Sequence, residues 1–66
     1  MFRYKVTVIA IYVNDWTGLR KAIFGESDAV FEQYGSGLGE FHFPTPQTPA
    51  DLGPLVRVEL LTSEPQ

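Results

Sequence analysis

The run Phe2 to Val13, FRYKVTVIAIYV, constrains this chain more than any other segment, being the longest, most apolar and most β-prone stretch in it. Its first half alternates: Phe2, Tyr4, Val6 and Val8 face one way, and Arg3, Lys5 and Thr7 the other. That is the pattern of a half-buried strand. From Val8 onward Ile9, Ala10, Ile11, Tyr12 and Val13 are apolar on both sides, which predicts cover on both faces. β-branched and aromatic residues without Pro or Gly favour a strand paired on both edges. Arg3 and Lys5 followed by Val6 to Val13 also resemble the start of a signal peptide. No small-residue cleavage site follows, because Asn14, Asp15 and Trp16 come next, and a membrane span needs roughly 20 apolar residues. The expectation is a cytoplasmic protein with no membrane partner.

A chain of 66 residues makes one domain, residues 1–66, with residues 62–66 expected as a frayed polar tail. A domain this short buries only about 60% of the surface its unfolded form exposes, so its core needs a supplement. With no Cys there is no disulfide, and one His leaves no ordinary zinc ligand set. Self-association, or a partner covering apolar surface, is the remaining supplement. The net charge of −3 is acidic but too small and evenly spread to name a partner class.

After the first strand, Asp15 or Thr17 is positioned to cap a helix through Leu19 to Phe24 that Gly25 stops, with Trp16, Leu19 and Ile23 as one stripe and Arg20 and Lys21 toward solvent. Ser27 and Asp28 then read as the start of a second short helix, Ala29 to Tyr34, stopped at Gly35. Glu40 to Phe43 is a strand with Phe41 and Phe43 inward and Glu40 and His42 outward. Pro44 to Pro54 is a long loop, and Leu55 to Leu61 is the last strand, with Val56, Val58 and Leu60 on one face. The predicted fold is α+β: a three-stranded sheet with one or two short helices on one face (β-α-(α)-β-β), and room for a right-handed crossover that makes the first two strands parallel. The alternative turns Arg20 to Phe24 and Ala29 to Tyr34 into a hairpin, giving an all-β, five-stranded SH3-like or OB-like small barrel. In the preferred fold the open face carries Arg3, Lys5, Thr7, Glu40, His42, Arg57 and Glu59.

Catalytic candidates are sparse. His42 has the pKa for general-base work, but a lone His on an outward strand position is more often a cross-strand polar partner, and Ser27 and Ser36 are explained as cap and loop residues. Gly35-Ser36-Gly37-Leu38-Gly39 looks like a phosphate loop, yet it follows a helix and opens a strand, the reverse of that arrangement. The carboxylates Glu26, Asp28 and Glu32 lack cation-loop spacing. No cofactor and no metal are expected. Pro46-Gln47-Thr48-Pro49 fits the minimal PxxP pattern of polyproline contacts, and a loop of that length packs or binds something. Nucleic acid is disfavoured, since parity buries the aromatics and Glu40 and Glu59 neutralise the basic strip.

Met1 to Thr7 and Leu55 to Leu60 resemble the first and last strands of the small phycobilisome core-linker domains. The resemblance is confined to those two ends; the middle does not correspond and the acidic balance departs from those basic linkers, so no function is taken from it. The expected function is a non-enzymatic, self-associating protein-interaction or accessory module, with a homodimer as the simplest form. Its candidate interface is Ile9, Ile11, Val13, Trp16, Pro46, Pro49 and Leu52. The alternative is a ligand-binding or enzyme subunit using Arg3, Lys5, His42 and Arg57, and the second alternative a nucleic-acid-binding domain.

Overall fold

A computed structural model describes residues 1–9 and 14–63. The elements follow in the order β1 (Phe2–Val8), α1 (Trp16–Phe24), β2 (Val30–Gly35), β3 (Leu38–Phe43) and β4 (Val56–Thr62). The strands form one open four-stranded sheet in the order β2-β3-β1-β4, with every neighbouring pair antiparallel. α+β is therefore the class. The sheet has four strands rather than three, and it does not close into a barrel.

β1 holds the centre because its even residues are the apolar half of the alternation. Val6 faces Gly39 on β3 and Val58 on β4, and Tyr4 faces Phe41 and Leu60. Onto this face α1 presents Trp16, Ile23 and Phe24, so that seven residues form the core: Tyr4, Val6, Trp16, Ile23, Phe24, Phe41 and Phe43. It is largely aromatic. Phe24 lies 4.7 Å from Phe43 and 5.6 Å from Phe41 between ring centroids, and Trp16 lies 5.1 Å from Phe31. Tilted and edge-on arrangements of this kind suit ring quadrupoles. Gly39 makes the Trp16 seat possible, since a Cβ there would fall 2.8 Å from Phe31 and 3.1 Å from Trp16.

The helix starts earlier than its pattern predicts. Asp15 is the N-cap, its carboxylate accepting the Gly18 N–H at 3.0 Å, and Gly25 closes the helix by donating to the Lys21 carbonyl. Trp16 consequently lies inside the first turn and is buried, which removes it from the exposed interface candidates. Arg20 is half-buried rather than facing solvent, because its guanidinium donates to the Ser27 carbonyl.

Four expectations need correction. Ala29 to Tyr34 is not a second helix: Val30 to Gly35 is the edge strand β2, and Ser27, Asp28 and Gly35 do not cap anything. Phe31 decides the matter by packing on Trp16 and Phe41, with Val30 and Glu32 turned to the opposite face. The extra strand also reverses the chain, so β3 runs antiparallel to β1 and there is no parallel crossover. The hairpin alternative is right that Val30 to Tyr34 is extended, and fails because Arg20 to Phe24 is helical. Finally, β1 ends at Val8 and Ile9 is 56% exposed, so cover on both faces fails at Ile9; Ala10 to Val13 lie outside the described residues. The neighbours run out there: β3 starts at Leu38, opposite Thr7, and β4 at Val56, opposite Val8.

The proline loop packs on the domain. The Tyr4 hydroxyl accepts the Gln47 N–H at 2.7 Å and donates to the Gln47 carbonyl at 3.2 Å, while Ala50 N–H donates to the Ile23 carbonyl. Tyr4→Phe removes both Gln47 bonds and leaves their backbone partners without the hydroxyl. Chemical denaturation is expected to show a loss of about 1–3 kcal/mol with an unchanged m-value.

Candidate interaction surface

The face opposite α1 is a polar ladder built by register. Arg3 sits across from His42, Lys5 between Glu40 and Glu59, Thr7 across from Arg57, and Glu32 across from Glu40. The candidate polar residues Arg3, Lys5, His42 and Arg57 do share this face. They are not equally available. Arg3 Nε donates to Glu40 Oε1 at 2.8 Å, and Glu40 is only 4% exposed although it stands on the open side. The reason is its central strand, with Arg3 above it, His42 two residues along and neighbouring strands on both sides.

His42 Nε2 lies 3.2 Å from the same Glu40 oxygen, an ion pair only when the imidazole is protonated. The approach is out of line for a hydrogen bond, and Nε2 is buried with no hydrogen-bond partner among the described residues. His42 thus stands beside Glu40 on the polar face with its Nε2 turned inward. Ser27 Oγ is 3.3 Å from Gln47 Oε1 and belongs to the loop contact.

The Arg3 hydrogen bond holds the Glu40 carboxyl below its usual range, against the opposing effect of burial; the charge of Arg3 and the nearby His42 add to the lowering. A lowered folded-state pKa stabilises the fold above the ordinary carboxylate value near 4.3, and that contribution disappears as pH falls through the folded value. Glu40→Gln is therefore expected to lower Tm at pH 7, and the gap to wild type is expected to close below about pH 4. Thermal melts from pH 3 to 7 read this directly. A gap that persists unchanged at pH 3 assigns the effect to packing instead.

Large apolar residues are exposed at both edges of the sheet: Val30, Tyr34 and Leu38 on the β2–β3 hairpin, and a larger group around β4. Ile9, Leu52, Leu55, Leu60 and Leu61 are all large and exposed, with Leu60 at 49%. Ile9 N–H donates to the Leu55 carbonyl at 2.8 Å, which ties the exposed end of β1 to the start of β4. Beside β4 an open hollow of about 320 Å³ is lined by Pro49, Leu52, Val56 and Val58 among others. Of the interface candidates, Ile9, Pro49 and Leu52 thus cluster here. Pro46 is exposed on the loop, next to the Gln47 that anchors it. Ile11 and Val13 lie outside the described residues.

Leu60 and Leu61 are the interface-type residues that pattern reading passed over. The signal was present: two adjacent apolar residues at the end of an alternating strand cannot both face the core. Nothing pairs with the outer edge of β4 or of β2 among the described residues. No helix among them is long and apolar enough to cross a membrane. No protein-family model, no curated protein and no solved structure matches this chain.

Proposed function

We propose that this chain is a non-enzymatic protein-interaction module that associates with itself. The observation that carries the reading is the cluster of exposed Ile9, Leu52, Leu55, Leu60 and Leu61 around one unpaired edge strand of a very small core. Edge strands offer a row of backbone donors and acceptors, and adjoining apolar side chains supply the area that makes strand addition stable. Covering that edge supplements a core which, at this length, is marginal alone. Light scattering on the protein eluting from a sizing column at high micromolar concentration is expected to give a dimer mass. A clean monomer contradicts self-association.

The ligand-binding alternative has one supporting observation: Lys5 and Arg57 form no ion pair among the described residues, so the open face keeps two available cations. It requires an anion to shift the NMR signals of both. A nucleic-acid role is less well supported, since Phe31, Phe41, Phe43 and Tyr4 all pack toward the helix and Tyr34 on edge strand β2 is the one largely exposed aromatic among the described residues.

A further inference from the structure

We infer that the partner on this edge is a second copy of the chain, joined β4 to β4 across a two-fold axis at Val58, and this rests on the self-association reading above. The sequence of the strand carries the inference. Leu55-Val56-Arg57-Val58-Glu59-Leu60-Leu61 is a palindrome in hydropathy about Val58 and antisymmetric in charge. An antiparallel pair related by a two-fold axis normal to the sheet must be centred on a residue, because residues opposite one another have to share a face. Centring on Val58 sets Val56 against Leu60 on the helix side and Arg57 against Glu59 on the open side, each twice. Opposite charges so placed favour the pairing.

The backbone agrees with this centre. The Leu55 carbonyl takes the Ile9 N–H, so the polar groups of Leu55, Arg57 and Glu59 turn toward β1 and those of Val56, Val58 and Leu60 turn outward. Val56 N–H is bent back to the Gly53 carbonyl at 3.5 Å. The N–H groups of Val58 and Leu60 remain, and the pairing directs them at the carbonyls of Val58 and Val56 in the second copy. Leu60, opposite Val56, falls over the hollow that Pro49, Leu52, Val56 and Val58 line. Neither Arg57 nor Glu59 has an ion pair within its own chain among the described residues.

The other edge is less complementary. Centring β2 on Glu32 opposes Glu32 to itself, and centring it on Phe31 or Gln33 sets Glu32 against Val30 or Tyr34, with no opposite charge to meet it.

Sedimentation equilibrium on the full chain tests the pairing. Arg57→Glu is expected to weaken dimerisation roughly 10- to 100-fold, since it opposes two like pairs, and R57E/E59R is expected to recover most of the loss. Arg57 is exposed across from Thr7, so circular dichroism should show R57E folded. Equimolar Arg57→Cys and Glu59→Cys chains, oxidised together, should form a mixed disulfide dimer, while each variant alone leaves its cysteines diagonal and out of reach. A dimer that ignores R57E and gives no mixed disulfide overturns the β4 pairing but leaves self-association standing. Growth beyond a dimer overturns it too, and a wild-type monomer overturns both.

Discussion

Phe41→Ala is expected to leave the domain largely unfolded at 25 °C. Phe41 is 1% exposed and its ring meets Trp16, Phe24, Phe31 and Phe43, so it joins the helix to both halves of the β2–β3 hairpin. Truncating a buried Phe to Ala costs about 3–5 kcal/mol, from lost transfer energy plus the cavity left behind. Domains hold roughly 0.05–0.15 kcal/mol per residue, which for a chain this short is about 3–10 kcal/mol in total. The loss and the total are therefore comparable. Near-ultraviolet circular dichroism and a urea titration would register it. Phe41→Leu, which keeps most of the volume, is expected to remain folded with a lower midpoint. A Phe41→Ala variant with wild-type stability would mean that the aromatic cluster does not hold the sheet to the helix.

Gly37→Ala is the second large effect. Gly37 sits in the β2–β3 turn at φ 75°, and a Cβ there would fall 2.6 Å from the Val8 carbonyl oxygen. Two costs add. A left-handed conformation costs a non-glycine residue about 1–2 kcal/mol, and relieving a backbone clash costs about 1–3 kcal/mol more. The clash also pushes on the hydrogen bond from Val8 N–H to the Gly37 carbonyl, at 2.7 Å, which fixes the end of β1 against the turn. The expected loss is about 2–5 kcal/mol by denaturant titration, with faster hydrogen exchange at the Val8 amide.

This glycine shows where the sequence was legible and where it was not. The strands β1, β3 and β4, the stripe of Trp16, Leu19 and Ile23, and the helix stop at Gly25 all follow from period and capping chemistry, and the structure contains them. β2 is ambiguous in sequence because Ser27-Asp28 and Gly35 carry the chemistry of both helix ends and turns. Its Val30-Phe31-Glu32-Gln33-Tyr34 core is too short for either period to dominate. Only the long-range packing of Phe31 on Trp16 and Phe41 separates the two, and that contact is not local in sequence. One misplaced strand then propagated into the strand count and the expected crossover.

The open face was legible in membership but not in energetics. Alternation placed Arg3, Lys5, His42 and Arg57 together, and register confirms that they share a side. Alternation says nothing about depth, so it could not show that Glu40 is buried by its neighbours and holds Arg3. Likewise Val56, Val58 and Leu60 read as one inward face. All three lie on the edge strand, so the reading overstates burial: Val56 and Val58 are half-buried and Leu60 is exposed, with no strand beyond them.

Amide hydrogen exchange followed by NMR at two protein concentrations tests the self-association through β4 most directly. The account predicts that the outward amides of Val58 and Leu60 exchange freely in dilute solution and become protected at high concentration, while those of Arg57 and Glu59, turned toward β1, are protected in both. Free exchange at Val58 and Leu60 in a sample shown to be dimeric would contradict it.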